Sequence, residues 1–234
     1  MIFRRDLLKI KLKDMHILIL YGFIGISCSS LCFLYAIKYT TVTTAVMLMN
    51  TSPVIVVVLS AIFFREPFTR QTFLSLLLTF IGISLLIQCY NPKLFNLNVV
   101  GILFGIGASF CFAAHTLVGK LKVSDYNALT IVFYALAFGT LFLIIIRTPQ
   151  VLLQIDYPIQ GCFWFFLHTL VPTILASICY IASLHHIEAG KASIILLFEV
   201  VVASLLAFLF LGGTIGIPPN YRGRPDYLRH PLVV

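Results

Sequence analysis

The feature that most constrains this chain is the recurrence of long segments without charged residues. A helix needs roughly 20 apolar residues, at about 1.5 Å each, to cross the hydrocarbon core of a bilayer. Seven segments approach or reach that length, and short connections join them. They are approximately residues 17–37, 43–64, 71–90, 99–118, 128–146, 161–184 and 192–212. The chain is therefore predicted to be an all-α, multi-pass membrane protein with about seven transmembrane helices.

Composition and periodicity agree with helices in lipid. Hydrophobic residues make up 60% of the 234 positions and charged residues only 10%, whereas an average soluble domain is about a quarter charged. In lipid every backbone group must pair internally, so only helices and closed barrels span a membrane. The segments lack the period-two alternation of barrel strands. The lipid bilayer is therefore the first predicted partner.

The basic residues are distributed by topology. The net charge of +8 could suggest nucleic acid, but ten of the 16 Lys and Arg residues lie in the N-terminal segment and in loops on the same side. The opposite loops hold only Lys38, Lys93 and Arg147. By the positive-inside rule, we expect a cytoplasmic N-terminus in the plasma or inner membrane. No nucleic-acid partner is predicted, and a signal peptide is a weaker interpretation because the first apolar segment is too long.

The sequence contains little that indicates enzymatic or metal chemistry. Its six cysteines lie almost entirely within the spans and lack C-x-x-C spacing, which is typical of small packing residues. Cys28 and Cys32 share a helix face, but a metal site would need further ligands. No nucleophile–base pair, phosphate loop or metal cluster is visible. We therefore predict neither an enzyme nor a cofactor.

An internal repeat appears when the chain is shifted against itself by 147 residues. Ala45 then matches Ala192, and Phe63 matches Phe210, within two runs that rise from a polar loop into an aliphatic helix. The matched helices are the second and seventh spans. Because these spans are five apart, they cross the membrane in opposite directions. Inverted repeats of this kind are typical of secondary transporters, whose substrate sites lie near mid-membrane at the repeat interface.

Two segments carry a resemblance to a known family. YAIKYTTVTTAVMLMNTSPVIVVVLSAIFFREPFT and IEAGKASIILLFEVVVASLLAFLFLGG resemble the EamA-type branch of the drug/metabolite transporter superfamily. The resemblance implies a ten-helix carrier built from two five-helix inverted repeats. This chain departs from the family pattern at Val200, where a proline is usual, and at Gly213, where an acidic residue is usual.

Set against that architecture, the chain divides into four parts. Residues 1–90 are predicted to be a partial first repeat with three helices, 91–98 a linker, and 99–212 a partial second repeat with four helices. Residues 213–234 form a polar tail that contains prolines and arginines and cannot supply a spanning helix. The resemblance thus implies that the chain is truncated at both ends relative to a ten-helix carrier.

Glu199 is the first candidate for a substrate or coupling group. A carboxylate near the middle of a helix in lipid costs about 2.5–3.5 kcal/mol on insertion scales, so it is expected to face the protein interior. One interpretation is a group that couples transport to protons or touches the substrate. The other is a protonated side chain bonded to a neighbouring backbone or hydroxyl. The sequence leaves both open.

The repeat places Asn50, Ser52 and Pro53 opposite Glu199. Proline removes one amide donor and bends a helix, which exposes a carbonyl acceptor beside Asn50. These residues are therefore candidates for a ligand cradle, or for a hinge whose hydroxyls satisfy its own backbone. We expect Asn50, Ser52 and Glu199 to approach one another near mid-membrane.

His115, Tyr35 and Tyr180 complete the candidate set. A histidine near a helix end can bond a neighbouring helix or titrate near neutral pH, and the packing role is favoured for His115. Tyr35 and Tyr180 could line an aromatic cavity, although tyrosines also anchor helices at interfaces.

Three functions compete at this point. The leading hypothesis is a carrier of small organic metabolites that works by alternating access, with proton coupling as an option. The second is an inactive, truncated remnant of such a carrier, and a homo-oligomer stays open as a way to complete its cavity. A seven-helix receptor is less favoured because the basic N-terminus predicts the wrong orientation. Substrate, direction and coupling ion are beyond what the sequence indicates.

Overall fold

The structure is a computed structural model that describes residues 10–86, 98–146 and 159–211. Within these ranges the chain is helical and contains no strand. The helices are α1 (Leu12–Tyr39), α2 (Val42–Met49), α3 (Ser52–Phe63), α4 (Arg70–Leu86), α5 (Val99–Lys122), α6 (Ala128–Ile146), α7 (Ile159–His168, Thr169–Leu175 and Ala176–His186), α8 (Ala189–Leu196) and α9 (Phe198–Leu211). Nearly all of the predicted linker and the whole tail lie outside the described residues.

The all-α, multi-pass membrane architecture is confirmed. Among the residues that the structure describes, five helical stretches are long and apolar enough to cross a membrane: α1, α2 with α3, α5, α6 and most of α7. The predicted spans 71–90 and 192–212 correspond to the 17-residue α4 and to α8 with α9. Predicted and observed helices differ by a few residues at their ends, as helix assignments commonly do.

Short polar side chains define several helix starts. The Thr41 hydroxyl accepts the amide of Thr44 at the head of α2, and the Asn98 side chain accepts the amide of Val100 at the head of α5. Both satisfy amides that have no partner within the helix. Pro53 lies in the first turn of α3, where its missing amide hydrogen is tolerated.

Small residues bring α1 close to α5 and α6. A Cβ atom added at Gly22 would lie 2.8 Å from the Ala135 carbonyl oxygen, and one added at Gly101 would overlap the Thr40 methyl group. Ser27 donates to the Gly139 carbonyl at 2.7 Å. Small faces that allow close backbone approach are typical of helix contacts in lipid. These contacts tie α1 to the core, which α5 and α6 form together with buried residues of α3, α8 and the last segment of α7.

The helices α3 and α8 pack against each other in opposite directions. Gly190, in the first turn of α8, lies beside Val57 and Ser60 of α3. The carboxylate of Glu66, which follows the end of α3, accepts hydrogen bonds from the first amides of α8. The end of α3 thus meets the beginning of α8, so the two helices run antiparallel.

Helix boundaries recur at the 147-residue offset found in the sequence. Adding 147 to the ends of α2, Val42 and Met49, gives Ala189 and Leu196, the ends of α8. The same shift carries the π-helical stretch Gly22–Cys28 of α1 onto Thr169–Leu175 of α7. It also carries the end of α1 onto the end of α7. The repeat therefore relates local backbone geometry as well as residue pattern.

Candidate functional site

Two interrupted helices lie at the centre of the candidate site. The first interruption falls between α2 and α3, at Asn50 and Thr51, and the second falls between α8 and α9, at Leu197. Each break ends one short helix and begins another within the same predicted span. Discontinuous helices expose free helix ends inside a membrane, and transporters use such ends to bind substrates and ions.

Hydroxyl groups satisfy the backbone at the first break. The Leu48 carbonyl accepts hydrogen bonds from Thr51 Oγ1 at 2.6 Å and from Ser109 Oγ at 2.5 Å. The two hydroxyls lie within 3.2 Å of each other. Ser52 and Pro53 are buried. This arrangement favours a hinge whose hydroxyls satisfy its own backbone over an open ligand cradle. Ser109 of α5 takes part in the hinge and was not among the candidates from the sequence.

The side-chain amide of Asn50 has a nitrogen that donates no hydrogen bond at this break. Its side-chain nitrogen is buried and has no hydrogen-bond partner among the described residues. A buried amide left without a partner is unfavourable by about 1–3 kcal/mol. Asn50 is therefore the group at this break with spare capacity to bind a polar ligand.

Glu199 lies in the first turn of α9, directly after the second break. Its side chain is exposed to an open space between helices, and its inward-facing position in the membrane stays a prediction. It lines a cavity of about 1030 Å³ between α4, α7 and the α8–α9 break, together with the hydroxyl residues Ser75 and Thr79. The interruption at Leu197 places Glu199 in the first turn of a helix, where a negative charge interacts favourably with the helix dipole.

The predicted approach of Asn50, Ser52 and Glu199 near mid-membrane stays a prediction. Asn50 and Ser52 lie at the α2–α3 break beside α5, whereas the cavity that Glu199 lines includes neither of them. The helices that carry the repeat are in contact, but through α3 and α8. The structure therefore has polar groups at both of the repeat-related breaks.

His115 lies on α5, and Tyr180 of α7 contacts the neighbouring residue of α5. His115 stacks on Tyr21 with ring centroids 4.8 Å apart, and the Tyr21 hydroxyl is 3.0 Å from His115 Nε2. The Tyr180 hydroxyl is 2.9 Å from Thr116 Oγ1. His115 Nδ1 is buried and lacks a hydrogen-bond partner within the described part of the chain. These contacts support the packing role for His115, with Tyr21 as a partner that sequence reasoning missed.

Tyr35 lies apart from both polar positions. Its ring is 5.2 Å from that of Phe104 and 6.3 Å from that of Tyr39, and the Lys38 ammonium lies 5.9 Å from its centroid. The side chain is 40% exposed. An exposed aromatic cluster with a lysine at a helix end is typical of an interface anchor.

A charged cluster links the start of α1 to the end of α5, and it was not predicted. Lys122 Nζ lies 2.6 Å from Asp14 Oδ1, and the Tyr126 hydroxyl donates to Asp14 Oδ2 at 2.6 Å. Donation to this carboxylate raises the pKa of Tyr126 above its usual value. Because the three residues are more than 100 positions apart at their extremes, no local pattern could have paired them.

The described residues contain no group of three or more His, Cys, Asp or Glu side chains that could hold a metal ion. Five cysteines in these ranges are free thiols, and Cys89 lies outside them. The described part of the chain is therefore a helical membrane protein with interrupted helices, buried hydroxyl groups and the carboxylate of Glu199 beside a cavity.

These features define a polytopic helical membrane protein. The chain belongs to the EamA-like transporter family, whose pattern matches residues 1–88 and 99–218. It is 26% identical over 208 residues to the uncharacterized inner membrane transporter YicL of Salmonella typhimurium, covering 88% of this chain and 68% of that protein. It is 28% identical over 194 residues to the uncharacterized transporter YetK of Bacillus subtilis, covering 78% of this chain and 56% of that protein.

A third relative extends the same likeness. An uncharacterized transporter of Clostridium kluyveri is 23% identical over 218 residues, which is 90% of this chain and 69% of that protein. The chain thus spans between 56% and 69% of the lengths of these three relatives. Family membership points to a transporter rather than an enzyme.

Proposed function

We propose that this chain is a carrier of small organic metabolites that works by alternating access between two inverted repeats. The observation that carries the proposal is the pair of interrupted helices related by 147 residues, of which α3 and α8 run antiparallel in contact. Interrupted helices at the interface of inverted repeats are where secondary transporters bind substrate and coupling ions. The predicted division into residues 1–90 and 99–212 is part of this proposal.

Glu199 is the proposed coupling group. It is the charged residue among those that line the cavity of about 1030 Å³, whose other walls are mainly aliphatic. A carboxylate in such surroundings is a default candidate for a functional group, because a charge among aliphatic side chains is costly without a partner. The hydroxyls of Ser75 and Thr79 supply neutral polar contacts in the same cavity.

Transport in proteoliposomes tests this assignment. The purified chain would be reconstituted, given an imposed pH gradient, and supplied with radiolabelled amino acids, nucleosides and organic cations. We expect Glu199→Gln to lower gradient-dependent uptake about tenfold or more, which corresponds to about 1.4 kcal/mol of lost coupling. The matched control is Glu188→Gln, because Glu188 pairs with Lys191 outside the cavity. Saturable uptake that survives Glu199→Gln unchanged would contradict the coupling role.

One observation favours a second candidate, a chain that inserts but does not transport by itself. In its most apolar window α7 is only 6% buried, compared with 33% for α1. A carrier must close its cavity from both sides, and here the α7 wall of the Glu199 cavity is open. Uptake that appears only when further helices or a second copy are supplied would support this candidate.

A further inference from the structure

The tight corner between α7 and α8 is held by charges from other helices. Helix α7 ends at His186 and α8 begins at Ala189, with Ile187 and Glu188 in extended backbone between them. The last carbonyls of a helix and the first amides of the next lack partners within their own helices. The Glu188 side chain does not cap α8. Its carboxylate pairs with Lys191 instead.

Lys120 satisfies the carbonyl side of this corner. Its ammonium, in the last turn of α5, donates to the carbonyl oxygens of Leu184 and Ile187, each at 2.7 Å. A cation at a helix C-terminus interacts favourably with the helix dipole. Lys120 is thereby bound to the end of α7 although it lies more than 60 residues away in sequence.

Glu66 satisfies the amide side. Its two carboxylate oxygens accept from the amides of Ala189 at 2.8 Å and Gly190 at 3.2 Å. An anion at a helix N-terminus also matches the dipole. The turn that aims Glu66 has Arg65 in the left-handed region, at φ 55°. Pro67 follows Glu66 in the sequence, which favours extended backbone at Glu66.

Close packing leaves this corner little room to shift. A Cβ atom added at Gly190 would lie 3.0 Å from Val57 Cγ2 of α3. Four charge-assisted hydrogen bonds, two from each side, therefore act where backbone contact is already tight. Such bonds are roughly twice as strong as neutral ones.

The repeat-related corner between α1 and α2 is built differently. Thr40 Oγ1 donates to the Ala36 carbonyl at 2.6 Å, and Thr41 Oγ1 accepts the amide of Thr44 at 3.2 Å. Both are local hydroxyl contacts. At the 147-residue offset, the position equivalent to Glu66 is Gly213, which has no side chain to act as a cap.

We propose that Glu66 and Lys120 form a charge clamp that sets the position of α8 and, through this short helix, of Glu199 at the head of α9. They are positioning residues. The clamp is inferred from the hydrogen bonds of Glu66 and Lys120 alone. Only the statement that the position of Glu199 matters for transport rests on the proposed function.

Hydrogen–deuterium exchange on the full chain in detergent micelles tests the clamp. We expect Glu66→Ala to speed exchange at the amides of Ala189 and Gly190 about tenfold, as loss of a helix cap does. Lys120→Met should speed exchange at the α7–α8 corner, and Lys120→Arg should restore slow exchange because it keeps the charge and the donors. Lys191→Gln is the matched control and should leave the corner unchanged. Unchanged exchange in both Glu66→Ala and Lys120→Met would overturn the clamp.

The second readout is the reactivity of Glu199. A carbodiimide adds to a protonated carboxyl group, and mass spectrometry of the peptide that contains Glu199 gives the rate, with Glu199→Gln as the blank. We expect Glu66→Ala and Lys120→Met to change this rate at least about twofold, and Lys120→Arg to restore it. Faster exchange at α8 with an unchanged rate at Glu199 would overturn the positioning role. Neither readout needs transport, so this test can fail independently of the proposed carrier function.

Discussion

The two long helices α1 and α7 share a backbone plan but not an environment. Each contains a seven-residue π-helical stretch, and in each case two residues separate the end of the long helix from a short helix that follows. The 147-residue offset relates these features of α1 to those of α7. Yet 33% of the most apolar window of α1 is buried, compared with 6% for α7. The difference arises because α5 and α6 contact α1 along its length, whereas α7 contacts α5 through its last segment, Ala176–His186. Local sequence thus determines helix geometry, whereas burial depends on which other helices lie alongside.

The largest expected effect comes from disturbing the packed face of α1. Gly22→Leu places a side chain where a Cβ atom alone would lie 2.8 Å from a backbone oxygen of α6. We expect the free energy of unfolding to fall by about 3 kcal/mol or more, since overpacking at a backbone contact cannot be relieved by side-chain movement. Denaturant unfolding in micelles measures it.

The matched change in α7 is Thr169→Leu, at the repeat-related position. Thr169 is exposed, so we expect a change within about 0.5 kcal/mol. Equal destabilisation by the two substitutions would remove the contrast between α1 and α7.

An intermediate effect is expected at the end of the first helical stretch of α1. Tyr21→Phe removes the hydroxyl that pairs with His115 Nε2. We expect a loss of about 1–3 kcal/mol, because a buried polar atom then lacks its partner. The repeat-related residue in α7 is His168, which is exposed. His168→Ala should leave the unfolding midpoint near that of the wild type, and a larger loss there than at Tyr21 would reverse the comparison.

The smallest effect concerns the charged cluster at the start of α1. Hydrogen bonding to Asp14 raises the pKa of Tyr126 above 10.0. A raised pKa contributes stability that is complete below pH 10 and is lost as the pH rises through the folded-state pKa. We therefore expect Tyr126→Phe to be less stable than the wild type at neutral pH. The difference should narrow as thermal unfolding is repeated above pH 10, and a constant difference would contradict the Asp14 contact.

Much of the fold was accessible from the sequence because helices in lipid are specified locally. All seven predicted spans have helical counterparts, and the repeat offset found from Ala45 and Phe63 also relates the bounds of α2 to those of α8. The breaks were harder to predict. Pro53 indicated the first, but no proline or glycine marks the second at Leu197, so Glu199 was expected within a continuous, inward-facing helix.

The sequence by itself determined the class of protein, the approximate extent of the apolar spans, and the repeat pattern, because these depend on apolar length and local pattern. The tertiary structure decided which helix is covered and where the polar groups find partners. Lys120 reaches the end of α7, Glu66 reaches the start of α8, and Tyr21 reaches His115 across separations of more than 60 residues. Such contacts depend on how the helices pack together, which no local pattern of apolar and polar residues records.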